Sequence, residues 1–438
     1  MKKTITIKKV GINGEGIGYL DRKIVFVPGA IPGEEVVVDI NKRNKGYSEG
    51  KLLKVLQPSP NRIKAPCHMY ENCQGCNLMH MNYQSQLQVK KDAILESLKK
   101  YTEYNVSKKM FLGVSGAKET EGYVTSVNLP VVTFNEQLTF GIYQRESKYL
   151  TLMTRCIKHH RMINQCLVKI EKILNQNKCK SYDDKAKTGL RFLKMKLIDG
   201  KIQVVFITGR DGLKENIVNQ ISQIDEIAGI FMSVNTSRYQ NFDESGYTKL
   251  YGSTRLEMIH DQKKYLIGIK SKLPENQGMI WQENRVVTKM VENSQKIISL
   301  NCGVGFLELN LDQEDVVAID AKNYHIEDAK LNAKYLDRSN VKFVCGHVDD
   351  KVVSYAKKKT YDTLIIHGDR LKLSDRLIDT IKIAKFKNVI YISQSHSSLA
   401  KDLAKLDKNY VIDQIAGLDS SCHNTYMTTI VKLIRKSK

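Results

Sequence analysis

Cys67, Cys73 and Cys76 stand in a Cys-x5-Cys-x2-Cys run with Gly75 between the last two. Thiolates this close can face one metal centre, yet a tetrahedral or cubane site needs a fourth donor. Cys156, within Thr154-Arg-Cys-Ile-Lys-His159, is the candidate, because sequence-distant cysteines commonly complete iron-sulfur sites; His159 and His160 are rival ligands. Paired Cys-x2-Cys arms are the commoner sign of zinc, so the spacing ranks iron-sulfur ahead of zinc and zinc ahead of no metal. The remaining cysteines, Cys166, Cys179 and Cys345 among them, read as buried thiols. An odd count of nine in a reducing compartment argues against a disulfide framework.

A second chemical signal is Ser299-Leu-Asn-Cys-Gly303-Val-Gly305, at the end of a predicted strand, with the next strand ending in Asp320. Gly-x-Gly lets a ligand approach backbone amides closely, and a carboxylate at the tip of the following strand can hold ribose hydroxyls. Alone the glycine pair marks an ordinary tight turn; with Asp320 it favours a nucleoside cofactor. His347, His367 and His396 also fall at the C-terminal ends of predicted strands, and read as solvated side chains ahead of a metal or acid-base site.

These residues need a scaffold, and 438 residues suffice for two or three domains, each with its own core. Residues 1–58 carry short alternating runs, Ile5-Thr-Ile7, Ile24-Val-Phe-Val27 and Val36-Val-Val-Asp-Ile40, split by glycine and Pro-Gly turns. The pattern predicts a small OB-like β-barrel of five strands, with Lys42, Arg43, Lys45, Lys51 and Lys54 as a basic surface. The turn-rich linker Gln57-Pro-Ser-Pro-Asn-Arg62 leads to a central α+β domain over 59–275 that carries the cysteine cluster (67–76 and 156). There an amphipathic helix is expected from Tyr83 to Tyr101 on Leu87, Ile94, Leu95 and Leu98, with strands at 138–143, 191–197 and 202–208. Over 276–438 the order is helix 284–296, strands 297–301 and 316–320, helix 323–336, strands 341–345 and 362–366, helix 374–385 and strand 388–392. That alternation predicts an α/β domain with an open, doubly wound, Rossmann-like sheet. Low complexity is confined to Lys357-Lys-Lys359 and the basic C-terminus.

Lys plus Arg exceed Asp plus Glu by 69 to 47, a formal charge of +22 spread along the chain. This points to a polyanionic partner ahead of a merely lysine-rich solvated surface. The N-terminus lacks the apolar core of a signal peptide, and no run approaches the roughly eighteen apolar residues of a membrane span. A cytoplasmic protein without a membrane partner, and a monomer, is expected.

Together these residues resemble the TRAM-domain RNA (uracil-C5)-methyltransferases, of the 23S ribosomal RNA uracil-5-methyltransferase type, which modify uridines with S-adenosylmethionine. Gly14-Glu-Gly-Ile-Gly18, Phe26-Val-Pro-Gly29, Pro32-Gly-Glu34 and Ser59-Pro-Asn-Arg62 are similar to the TRAM signature, an RNA-binding barrel. Cys67, Cys73, Cys76 and Cys156 match the family's four cluster ligands, which implies a 4Fe-4S centre. Gly141-Ile-Tyr-Gln-Arg145 resembles a central-domain segment, Trp281-Gln-Glu-Asn284 the turn that supplies a cofactor-binding Gln, here Gln282, and Asp328-Ala-Lys-Leu-Asn-Ala333 a helix of the methyltransferase core. The resemblance implies a cofactor site at Gln282, Asn301, Gly303, Gly305, Asp320 and His347, and RNA as partner, ribosomal RNA first and tRNA second.

The match breaks where the family does its chemistry. That route adds a cysteine thiolate to uracil C6, and a base then removes the C5 proton. The family's Ser-Cys-Asn-Pro turn reads Ser393-Gln-Ser-His396 here, followed by Leu399-Ala-Lys-Asp402, so Gln394 holds the nucleophile position and Cys422 is the nearest cysteine in sequence. The final His-x-Glu becomes Tyr426-Met-Thr428, so Thr428 holds the base position, and a neutral hydroxyl is a poor base. The Asp-Pro-Pro-Arg loop reads His367-Gly-Asp-Arg370, with Asp369 a shifted carboxylate or a surface residue. Ser299, Asn301 and His347 replace an acid, an aromatic and an acid at cofactor positions, which leaves S-adenosylmethionine binding weakened or lost. The resulting expectation is an RNA-binding iron-sulfur pseudoenzyme of this family. Its rivals are an active RNA methyltransferase of altered mechanism and a ribosome-assembly or redox-sensing RNA-interaction factor.

Overall fold

The structure is a computed structural model that describes residues 2–73, 75–143, 150–153, 155–237, 246–357 and 360–437. Gln144 and Arg145 of the central-domain motif, Thr154 beside Cys156, and Lys358 and Lys359 lie outside the described residues.

Five strands, Lys2–Val10, Gly16–Leu20, Lys23–Val27, Glu35–Arg43 and Tyr47–Gln57, close into a barrel. Alternation drives the closure: Ile5, Ile7, Val25, Val27, Val36 and Val38 meet inside, while the residues between them face outward. Lys42, Arg43, Lys45, Lys51 and Lys54 are exposed on its surface. Two parts of the barrel signature meet in one ion pair, Arg62 Nη2 donating to Glu34 Oε2 at 2.7 Å and to the Gly29 carbonyl at 2.6 Å. Burial alone would raise the Glu34 pKa, but Arg62 and the Ile31 and Ser59 amides outweigh it and hold the carboxyl below its ordinary value.

The central region is a seven-stranded mixed sheet in the spatial order Thr248–Gly252, Ile227–Val234, Lys201–Thr208, Leu190–Ile198, Ser126–Phe134, Gln137–Tyr143, Leu150–Leu152. The strands expected at 138–143, 191–197 and 202–208 fall within it. Helices Arg161–Gln176 and Glu215–Ser222 cover one face, where Ile163, Leu167, Ile170 and Ile217 pack against Leu193, Val204 and Phe206.

The C-terminal sheet has eight strands in the order Val341–Cys345, Asp315–Asp320, Lys296–Leu300, Thr363–His367, Asn388–Ser393, Thr428–Arg435, Tyr410–Leu418, Phe111–Ser115. The first five are parallel and Thr428–Arg435 is antiparallel to both its neighbours. Two features differ from expectation. Its leading helix is Gly278–Met290 rather than 284–296, so Trp281-Gln-Glu-Asn284 is helical; Gln277 makes no side-chain cap, and the Asn276 carbonyl accepts the Met279 amide at the helix start. Residues 83–115, inside the 59–275 boundary, serve the last sheet: Phe111–Ser115 is its eighth strand and the helix Tyr83–Tyr101 packs on the helix His396–Leu403. Periodicity reveals an amphipathic helix but not which sheet its face will meet. Among the described residues no helix is long and apolar enough to cross a membrane.

Candidate functional site

At the tips of Lys296–Leu300 and Asp315–Asp320 the chain turns through Asn301, Gly303 and Gly305, with φ of 58°, 57° and 79°. At Gly305 a Cβ would lie 2.6 Å from the Phe343 ring, so only glycine fits. Asp320 closes the turn: Oδ2 accepts the Gly303 amide at 2.9 Å, while Oδ1 accepts the Lys322 amide at 2.8 Å and faces His325 Nδ1 at 3.2 Å. Burial pushes this carboxyl up, but His325 and the two amides together hold it below its ordinary value. Gln282 is half-buried on Gly278–Met290, and Asn284 of that helix donates to the Phe306 carbonyl at 3.0 Å, tying it to the glycine turn. His347 is exposed at the start of the helix Val348–Ala356, 4.0 Å from Asp350.

Beneath the turn lies a group that sequence reasoning missed. Glu308, fully buried on the short 3-10 turn Glu308–Asn310, accepts from Ser299 Oγ at 2.6 Å and meets His367 Nε2 at 3.0 Å. His367 Nδ1 faces Glu283 at 3.9 Å, and Asn301 Nδ2 donates to the His367 carbonyl at 3.1 Å. Burial favours the neutral ring, but Glu308 and Glu283 prevail and raise the His367 pKa; burial likewise raises Glu283. An acid inside the apolar run Phe306-Leu-Glu-Leu309 was the available signal, since a buried carboxylate requires a partner. The three histidines do not converge. His396 Nδ1 meets Ser97 Oγ at 2.7 Å, so the solvated reading fails for His367 and His396 and fits only exposed His347.

At the loop where the resemblance places the nucleophile, Gln394 is exposed and its backbone amide donates to the Asp369 carbonyl at 3.2 Å. The Asp369 carboxylate accepts the Leu371 amide at 2.6 Å and so braces its own loop. Arg370 stacks over the Tyr426 ring at 4.0 Å. Thr428 is buried and its hydroxyl donates to Ser420 Oγ at 3.1 Å. Cys422 is buried, its thiol pushed up to about 12 by burial and then by Asp419, which suits a structural thiol rather than a nucleophile.

Cys76 lies within electrostatic reach of Cys156, Cys73 and Cys67; burial pushes its thiol up to about 12 against the pull of Lys158. The rival ligand His160 instead caps Arg161–Gln176, accepting the Met162 amide at 3.2 Å. His159 is buried with Nδ1 lacking a hydrogen-bond partner, and burial takes its ring down to about 4. Among the described residues no three His, Cys, Asp or Glu side chains close on a single metal ion. Cys166 is buried and Cys179 half-buried, but Cys345 is exposed, because it ends the edge strand Val341–Cys345.

Next to Cys76, Asn77 ties its own segment to two other parts of the molecule, the C-terminal loop and the barrel. The Asn77 and Leu78 amides donate to the His423 carbonyl at 3.0 and 2.9 Å, Asn77 Oδ1 accepts the Thr425 amide at 3.0 Å, and Nδ2 donates to the Asn13 carbonyl of the barrel at 2.8 Å. Nearby, fully buried Lys90 contacts Asp419 and donates to the Ser421 and Tyr426 carbonyls, each at 3.0 Å, while Tyr83 donates to Asp419 Oδ2 at 2.8 Å. The helix expected on Leu87, Ile94, Leu95 and Leu98 therefore buries Gln86, Lys90, Ile94, Ser97 and Leu98.

Residues 2–53 match the TRAM domain family. The chain is 30% identical to a Bacillus cereus protein described as an uncharacterized RNA methyltransferase, over 99% of this chain and 96% of that one. A Halalkalibacterium halodurans protein of the same description is 27% identical over 95% of this chain and 92% of its own length. The tRNA (uracil-54, C5)-methyltransferase of Pyrococcus abyssi, solved with S-adenosyl-L-homocysteine, shares the fold with a TM-score of 0.76 at 23% identity, covering 99% of this chain and 100% of that one.

Proposed function

The chain belongs to the RNA methyltransferase family, and from that premise we propose that it is an RNA-binding iron-sulfur protein that does not methylate uracil at C5. The pair of residues at the two chemical positions carries this reading. Gln394 offers an amide, which cannot add to C6, and Thr428 offers a hydroxyl committed to Ser420. Cys422 is a buried thiol pushed up to about 12 and supplies no thiolate.

RNA as partner is supported by the net charge of +22, the exposed lysines of the TRAM barrel and the Arg370–Tyr426 stack, a surface on which a base can rest. Ribosomal RNA is the first candidate; tRNA, the substrate class in the name of the Pyrococcus abyssi protein, is the second. The fold is that of an S-adenosylmethionine-dependent methyltransferase. Gly303, Gly305 and Asp320 suit the cofactor's nucleoside, and the Asp320 carboxylate, which serves Gly303, Lys322 and His325, keeps acceptor capacity on Oδ2 for a ribose hydroxyl; the reading of weak binding rests on Ser299, Asn301 and His347 at the other cofactor positions. Cys67, Cys73, Cys76 and Cys156 would hold a 4Fe-4S cluster as thiolates; the reading rests on their spacing and on the electrostatic reach of Cys76 to the other three. When bound, such a cluster supplies one-electron chemistry and crosslinks residues 67–76 to 156.

The test is calorimetry with S-adenosylmethionine on anaerobically purified protein beside Asp320→Ala, together with transfer of labelled methyl groups to ribosomal and transfer RNA. Undetectable or weak cofactor binding, with RNA retained and unmethylated, is expected. Label at uracil C5 would overturn the reading. Micromolar binding lost in Asp320→Ala, with label on a nitrogen or oxygen, would establish the altered-mechanism enzyme that the intact glycine turn allows.

A further inference from the structure

The face of the central sheet opposite its helices carries polar rows that nothing above employs. In the strand register Lys196 lies opposite Ser126 on one side and Gln203 on the other, and the next row is Asn128, Lys194 and Val205. Gln203 is 0% exposed; its Nε2 donates to the Ser253 carbonyl at 2.8 Å, while its Oε1 has no hydrogen-bond partner. On the other side of Lys196, the Ser126 hydroxyl is also buried without a partner. Two orphaned atoms flanking one lysine destabilise the fold unless something else satisfies them.

Both residues line a groove of about 240 Å³, smaller than a drug-sized site and of a size for one nucleobase rather than a larger ligand. Its opposite wall is segment 269–273, fastened to the sheet by Lys196, which donates to the Gly268, Ile269 and Ser271 carbonyls at 2.8, 2.9 and 2.6 Å. Beside it Lys194 donates to the Tyr247 hydroxyl at 2.7 Å, and Lys194 and Lys270 lie over the Tyr247 ring at 5.4 and 5.7 Å. Lys270 and Lys272 contribute further positive charge, and Ile269 and Leu273 supply apolar surface.

We propose that this groove binds one unpaired nucleotide of an RNA strand, at a site separate from the methyl-transfer cleft, an inference that rests on the RNA-binding reading above. The occupant must bring an N–H donor to Gln203 Oε1, a polar edge to Ser126, a flat apolar body and negative charge. The amine or imide edge of a nucleobase on a phosphodiester meets all four demands. A free nucleoside monophosphate shares that chemistry, and the experiment separates the two sources.

Binding of a fluorescent single-stranded RNA octamer is measured by anisotropy on full-length, cluster-loaded protein. Ser126→Ala removes an orphaned hydroxyl, so its thermal midpoint should stay level or rise while RNA affinity falls roughly fivefold, the worth of one hydrogen bond. Lys272→Ala, an exposed position, should weaken binding and reduce the salt slope by about one. Unchanged affinity in both variants, alongside a loss in a Lys51→Ala, Lys54→Ala barrel variant, would overturn the groove and leave the RNA reading standing. No RNA binding by the unaltered protein would overturn both. Micromolar binding of AMP or CMP that Ser126→Ala weakens, with RNA affinity unchanged, would assign the groove to free nucleotides and overturn the RNA assignment.

Discussion

Glu308 changes what Ser299 and His367 mean. Each alone is a departure from the family pattern, an acid replaced by a serine at one position and by an imidazole at the other. Both contact the Glu308 carboxyl group, which brings an acid beside the glycine turn from a different point in the chain. His367 gains a partner on folding and its pKa rises despite burial. Its contribution to stability is therefore fully present below the unfolded value near 6.5 and is lost as pH rises through the folded value. His367→Asn should be less stable than the parent at pH 6 by about 1–3 kcal/mol, the cost of a buried group left unpaired, with the gap narrowing by pH 9. Urea titrations at the two pH values check this; an equal gap at both would mean the ring is neutral throughout.

The helix Tyr83–Tyr101 shows how an element's span can be read while its role is not. Apolar spacing and flanking lysines mark its length, and one of those lysines is the centre of its buried face. Lys90 is held by Asp419 and two carbonyls, against a burial penalty that pulls its pKa down. Lys90→Met should cost about 3–5 kcal/mol, because Asp419 would remain buried without its counter-charge. Adding Asp419→Asn should recover part of that loss in a guanidinium-denaturation double-mutant cycle. Strictly additive losses would show that the two charges do not act as a pair.

For the whole molecule, Asn77 is the junction at which barrel, cysteine segment and C-terminal loop meet. The Thr425 hydroxyl adds a bond to the Ile12 carbonyl at 2.9 Å, and the barrel is also held by the packing of Val10 and Ile31 on Leu78, Met81 and Val89 and by the Lys9–Glu96 ion pair. Asn77→Ala should leave each core intact and loosen the barrel: limited proteolysis across 57–62 should accelerate several-fold, with weaker RNA binding. A cleavage rate equal to that of the parent would show that the remaining apolar packing, ion pairs and the Thr425 bond suffice to hold it. With a charge of +22, RNA affinity in either protein should fall linearly on a log-log plot against salt.

The barrel, the doubly wound order of the last sheet, the turn at Gly303 and Gly305 with Asp320, and the proximity of Cys67, Cys73 and Cys76 were all legible in the sequence. They depend on alternation, helical period and short spacing, which are local. Tertiary structure alone decided that Phe111–Ser115 completes the C-terminal sheet, that Lys90 is buried against a residue 329 positions away, and that Glu308 serves a histidine 59 positions on. It also decided that Ser126 and Gln203 share a groove with their polar atoms unmatched. A buried charge or hydroxyl needs a partner, but no local pattern records which residue the fold will bring to it.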